Sequence, residues 1–270
     1  MTCNSKADEL FIADFGNHVV RSMRVRENAG DMRDVYGGSA HDSESHICSV
    51  CHMRDSDTLL VCSRECRRWW PFEPSFSDWL VALNRRGGDG EWRETQRVKT
   101  AQLATLSCEL SDARVLLGAD GSAYLELFRM QTARGLFTSG PRIAHEHFIR
   151  VSETYRCVSA TCIGIDTLVA ISYVDQSVRV HRLVGDELEE ITRVRLERPH
   201  LIVWIATRLL VSTSDSKGVV ELEVMGTQLE HRGQLIAETS NFRVDSWCVL
   251  DYGLVVYNSS SFELLDYLLK

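Results

Sequence analysis

Proline is scarce in this sequence, with four in 270 residues, so breakers are few and helical and extended readings must be separated on other grounds. There is no apolar run of about 18 residues, the length a membrane-crossing helix needs. Basic residues are in deficit: Lys+Arg is 30 against Asp+Glu 38, a formal net charge of −8. That balance counts against a general grip on phosphate backbones or anionic membranes, though it leaves room for a local basic patch. Where a secretory signal would carry an apolar run, the first ten residues carry Lys6, Asp8 and Glu9. No nucleophile elbow, phosphate loop or glycine-rich dinucleotide fingerprint occurs.

Cysteine, by contrast, is abundant. Nine is an odd number in a chain without a signal-like start, which points to a reducing compartment and free thiols; the expected location is the cytoplasm, with the nucleus left open. At 44% hydrophobic and 25% charged, the chain has the material for a real core.

That material is periodic. A leucine-led apolar stretch ending in a small or polar residue recurs as Leu10-Phe11-Ile12-Ala13-Asp14, Leu59-Leu60-Val61-Cys62-Ser63 and Leu116-Leu117-Gly118-Ala119-Asp120. It returns as Leu168-Val169-Ala170-Ile171-Ser172, Leu209-Leu210-Val211-Ser212-Thr213 and Leu254-Val255-Val256-Tyr257-Asn258. Successive leucines are 49, 57, 52, 41 and 45 residues apart, the period of propeller blades. From the second copy on, a short apolar stretch precedes each motif, an alternating strand follows, and several copies add a more polar fourth strand such as Trp92–Val98, Leu188–Leu196 and Leu229–Ile236. Four strands per unit, the outermost most polar, predict an all-β chain in which residues 1–270 form a single β-propeller of about six four-stranded blades. The first blade lacks an innermost strand and the last stops after its third. Either the ends meet to close the ring, or the sequence is a piece of something longer.

The stretch from Leu10 to Arg21, with its Asp14 and Gly16-Asn17-His18, resembles the core of an NHL repeat. Asp175-Gln176-Ser177-Val178-Arg179-Val180 resembles a degenerate WD-type repeat, although no copy ends in Trp-Asp or opens with Gly-His. The resemblance is thus to the WD/NHL-like propeller superfamily. It implies a rigid platform for proteins or peptides, with RNA binding and metal-dependent hydrolase or lyase activity as the minority alternatives.

The candidate chemistry is weighed against ordinary packing. Cys48 and Cys51, followed by Cys62 and Cys66, have roughly zinc-ligand spacing, and Cys48 to His52 spells a haem attachment motif. On a strand, however, Cys48 and Cys51 point to opposite faces, and thiols pack well as small apolar groups, so no cofactor or metal is expected. His145 and His147 share a face if their segment is extended, and are read as part of an inter-blade loop equivalent to the one holding His41, Asp42, Glu44 and His46. The most distinctive segment, Arg64 to Asp78, is read as an insertion between the second and third strands of the second blade. It holds Arg67, Arg68, Trp69, Trp70, Phe72 and Phe76, the residue types that dominate interface hot spots. The expectation is a non-catalytic scaffold, a monomer or one subunit of a complex, that meets a protein partner through these residues and through His145 and His147. Arg67 and Arg68 with the nearby rings also suit single-stranded RNA, against which the net charge weighs.

Overall fold

The computed structural model describes the chain from Met1 to Leu265 apart from residues 5, 7, 26–31, 38–43, 55, 68–74, 86–89, 111–112, 120–121, 133–140, 152–156, 164–167, 206, 214–217, 226–227, 237–245, 251–252 and 259–260. Its elements are antiparallel strands and one 3-10 turn at Phe15–Asn17, with no α-helix among the described residues. Blade 1 is β1 (Thr2–Cys3), β2 (Glu9–Asp14), β3 (Val19–Arg24) and β4 (Arg33–Gly37), and blade 2 is β5 (Glu44–Met53), β6 (Thr58–Arg67), β7 (Ser75–Arg85) and β8 (Trp92–Lys99). Blade 3 is β9 (Leu106–Glu109), β10 (Arg114–Gly118), β11 (Tyr124–Thr132) and β12 (Pro141–Arg150), and blade 4 is β13 (Cys157–Ile163), β14 (Leu168–Tyr173), β15 (Ser177–Val184) and β16 (Glu187–Arg195). Blade 5 is β17 (Pro199–Ile205), β18 (Arg208–Thr213), β19 (Val219–Met225) and β20 (Gln228–Ile236), and a last three-stranded sheet is β21 (Ser246–Leu250), β22 (Gly253–Asn258) and β23 (Ser261–Leu265).

The ring is a single β-propeller, with two corrections to the expected blade plan. Five blades are four-stranded, not about six. The first blade is complete, because Thr2 and Cys3 pair with Phe11 and Leu10 and supply the strand thought missing. The two ends do meet: the Met1 ammonium donates to Ser246 Oγ at 3.2 Å, and Cys3 Sγ donates to the Val249 carbonyl at 3.2 Å.

Why the leucine-led motif recurs is plain from the packing. The core lies in the seams between adjacent blades rather than in one central mass. Neighbouring residues on a strand point to opposite faces. On β10, Leu116 packs toward Val169, Ile171 and Tyr173 of blade 4, while Val115 and Leu117 pack toward Leu60, Leu80 and Ala82 of blade 2. On β14, Val169 and Ile171 take that same seam and Ala170 turns to Leu209 and Val211 of blade 5. A strand buried on both faces needs apolar residues in sequence, which is the run the motif displays. Small polar residues at or next to the motif's end also have a task. Buried Ser172 donates to the His200 carbonyl at 2.7 Å, and buried Ser212 accepts the Leu201 N–H at 3.1 Å, so each ties its strand to the start of β17.

The central β2–β3, β6–β7, β10–β11, β14–β15, β18–β19 and β22–β23 ladders are uninterrupted, whereas all five outermost strands pair with a register shift. Bulges twist the rim strands and blunt their open edges against further pairing. In blade 1 the rim is fixed by Gly37, whose φ is +89° and whose missing Cβ would lie 2.4 Å from the His18 carbonyl oxygen. Gly37→Ala is therefore expected to cost about 2 kcal/mol through strain and clash, read as a lowered melting temperature.

Candidate functional site

The second-to-third-strand connections all open on one face of the ring, together with the starts of the innermost strands. This is the face to which the sequence assigned its binding segment. Blade 2 dominates it. The equivalent β2, β10, β14, β18 and β22 end after five or six residues, but β6 runs for ten and β7 for eleven. Their ladder continues past Ser63↔Trp79 through Arg64↔Asp78, Glu65↔Ser77 and Cys66↔Phe76 to Arg67↔Ser75. Four extra residues at strand rise carry this hairpin about 13 Å beyond the motif end. Arg64 to Arg67 and Ser75 to Asp78 are thus strand, which corrects the reading of Arg64 to Asp78 as one inserted loop.

The stem is fixed by charge as well as by backbone. Arg64 donates to both oxygens of Asp78, Nε to Oδ1 at 2.7 Å and Nη2 to Oδ2 at 3.0 Å, a bidentate pair across the ladder. That carboxylate raises the guanidinium pKa further, so Arg64 is permanently charged. The Arg64 guanidinium also lies over the Phe76 ring at 5.4 Å. At the stem's far edge Arg97 bonds Glu65 and Glu94 and lies over Trp79 at 5.6 Å.

Exposed large apolar side chains gather at this face. Phe15 is 56% exposed, Phe76 55%, Tyr124 46% and Val174 59%, and each stands at the second-to-third-strand connection of blades 1, 2, 3 and 4 respectively. In blade 1, Asp14 accepts the Asn17 N–H at 3.2 Å and its amide at 2.8 Å, and His18 takes the left-handed conformation that turns the chain into β3. The His46 ring on β5 fills the notch, 5.4 Å from Phe15 and 4.5 Å from His18.

Of the residues named from sequence, Phe76 lies on this stem and is exposed. Arg67 ends β6, its side chain outside the described residues, as are Arg68, Trp69, Trp70 and Phe72 altogether. His145 and His147 are not on a neighbouring loop. They sit within β12, the rim strand of blade 3. His145 pairs with Phe128 and His147 with Leu127, so Glu146 is the extra residue of a bulge that breaks the simple i, i+2 alternation. The His145 ring packs against Phe128 at 5.0 Å and Phe148 at 4.8 Å, with Nε2 3.8 Å from buried Glu126. Its supposed counterparts Glu44 and His46 belong to innermost strand β5, and His41 and Asp42 lie outside the described residues. His18 entered the sequence reading only through the repeat motif, His46 as loop, and Arg64 and Asp78 as the bounds of the insertion; Phe15, Tyr124 and Val174 were not read as contacts. Their one signal was a large apolar residue recurring at a turn position, where polar residues are the norm.

The innermost strands line the axial channel, which holds two adjoining hollows of about 450 and 390 Å³ sharing Met1, Thr2, Cys51 and Ser107. Cys48 is the bulged residue of β5, and Cys51, Cys62 and Cys66 are buried. Burial pushes the thiol pKa up, to about 11 for Cys48 and about 12 for Cys51 and Cys62. Among the described residues no three His, Cys, Asp or Glu side chains are grouped to hold an ion.

No protein-family model matches the chain, and no curated protein matches it in sequence. Solved structures do. The β-propeller domain of Cps50 (Swd1) from Myceliophteria thermophila is 11% identical with a TM-score of 0.63, covering 98% of this chain and 81% of that one. A chain of a mitotic checkpoint complex is 9% identical with a TM-score of 0.60, covering 97% and 87%. A candidate 6-phosphogluconolactonase from Bacteroides uniformis is 12% identical with a TM-score of 0.58, covering 96% and 81%. At such identities the likeness speaks for the fold alone: the chain is a single β-propeller, and nothing in these neighbours singles out the NHL type suggested by residues 10–21.

Proposed function

We propose that this protein is a non-catalytic binding scaffold that holds a protein or peptide partner on one face of its ring, with the tall hairpin of blade 2 as the principal contact. The observation that carries this reading is the extra reach of β6 and β7, whose braced stem stands about 13 Å beyond the motif end and whose two strands are joined in sequence by residues 68–74. Those seven include Trp69, Trp70 and Phe72 between prolines and arginines, and the stem adds Arg67 and Phe76. A rigid ring loses little ordering entropy when such anchors bury against a partner. Phe15, Tyr124 and Val174 extend the contact around the face. Neither the complex that holds one structural neighbour nor the activity named for the Bacteroides neighbour transfers at 9% and 12% identity.

The test is affinity capture with wild type and with Trp69→Ala/Trp70→Ala from extract of the native cell. Co-purifying protein is expected to fall at least tenfold with the double variant, with the melting temperature within about 2 °C of wild type, as truncation of contact residues that take no part in the core requires. A variant that melts much earlier would show those rings to be packing, and the reading fails. Salt-sensitive capture of single-stranded RNA that weakens with Arg67→Ala/Arg68→Ala would replace it with the nucleic-acid alternative.

A further inference from the structure

The cysteines are not scattered. Six of them, Cys3, Cys48, Cys51, Cys108, Cys162 and Cys248, lie on innermost strands and face the axial hollows. Two meet at the seam where the ring closes. Cys3 is on β1, the first innermost strand, and Cys248 on β21, the last; they are 245 positions apart in sequence. Their sulfurs approach one carbonyl, with Cys3 Sγ 3.2 Å and Cys248 Sγ 3.7 Å from the Val249 oxygen. Cys3 packs against Cys248 in the small cluster that also holds Leu10, Met1 and Met23. Cys108 and Cys162 are also neighbours, but they join blades 3 and 4 within the ring, away from its closure.

We propose that Cys3 and Cys248 are a redox latch: under oxidising conditions they form a disulfide that bolts the first blade to the last sheet, and under reducing conditions the seam is held by packing and the hydrogen bonds to Ser246 and Val249. The inference does not depend on the scaffold reading. In the reaction the Cys3 thiolate attacks one sulfur of oxidised glutathione and expels a glutathione thiolate. The Cys248 thiolate then attacks the Cys3 sulfur of the mixed disulfide and releases the second glutathione. Both cysteines give up their protons, which end on the two glutathione thiols, and the two electrons lost by the protein sulfurs reduce the glutathione disulfide.

Two features set the rate and the consequence. Contact with the Cys3 thiol and burial raise the Cys248 pKa well above its ordinary value, so the closed seam is slow to react. β1 is only two residues long, so its opening is the step that would give oxidant access to Cys3. Once formed, the bond would constrain almost the whole unfolded chain, the condition under which a cross-link stabilises most.

The experiment uses the full chain incubated with millimolar oxidised glutathione and, separately, with dithiothreitol. Tryptic mapping without reduction should show the N-terminal peptide ending at Lys6 linked to the one that follows Arg243. The melting temperature should rise by about 10 °C, return with dithiothreitol, and fail to rise in Cys3→Ser and Cys248→Ser while still rising in Cys108→Ser. A Cys3–glutathione adduct without the link, a link between another pair, or a rise that persists in Cys3→Ser overturns the proposal. Should either serine variant fail to fold, the wild-type map and its reversal by dithiothreitol decide alone.

Discussion

Phe128→Ala is expected to lower the unfolding free energy by about 4 kcal/mol, the upper range for deleting a buried aromatic ring. Phe128 on β11 is fully buried and sits in the seam between blades 2 and 3, among Leu80, Ala82, Val115, Leu117 and Ile143. The blades on either side are hydrogen-bonded sheets that relax poorly into a void, so a cavity should persist rather than collapse. Because each blade is stabilised chiefly by its neighbours, weakening one seam weakens the cooperative unit. Phe148→Ala is the control. Its ring is exposed on rim strand β12, and its loss is expected to cost less than about 0.5 kcal/mol. Guanidinium denaturation of the two variants measures the contrast. A cost below about 1.5 kcal/mol for Phe128→Ala would mean that the seams are not where this ring gets its stability.

The same seams explain what the sequence could disclose. Burial on both faces writes an unbroken apolar run, so Leu116-Leu117 and Leu209-Leu210-Val211 were legible as inner strands, and the third strands followed from alternation. Where burial stops dictating, legibility stops. The stem residues Arg64, Glu65 and Arg67 are polar and look like loop, yet they are strand because backbone pairing and the Arg64–Asp78 bridge hold them. β12 was missed because the bulge at Glu146 shifts the phase of its alternation, and a histidine pair in that disrupted pattern suggested a loop. β1 was missed because a two-residue strand carries no period at all; it is a strand through its pairing with Leu10 and Phe11 and its contact with β21, which no local pattern encodes. The candidate site was legible in composition, through Arg67, Trp69 and Phe72, but not in shape. Its height above the face depends on how far a ladder continues after the core ends.

Acid should expose a buried switch in blade 4. His181 on β15 is almost fully buried and bonds Tyr173 Oη through Nε2 at 2.8 Å. Its Nδ1 has no hydrogen-bond partner among the described residues, so a second proton would have no acceptor. Burial, reinforced by the Arg179 guanidinium, pulls the imidazole pKa from 6.5 down to about 4. Arg179 is itself locked in place, paired with Asp175 and Glu190 and lying over the Tyr173 ring at 4.6 Å. As pH falls below 6.5 the unfolded chain takes up a proton that the folded ring refuses, so stability is full above 6.5 and drains away as pH approaches 4. A depression of this size corresponds to roughly 3 kcal/mol across that window. Carboxylates also titrate there, and His181→Gln isolates the imidazole. The variant is expected to start less stable at pH 7.5, since Tyr173 loses its partner, but to lose about 3 kcal/mol less than wild type on going to pH 4. Equal losses in the two proteins would show that His181 accepts its proton in the folded ring. An imidazole resonance still in its neutral position at pH 5 would agree with the refusal, and one already shifted would contradict it.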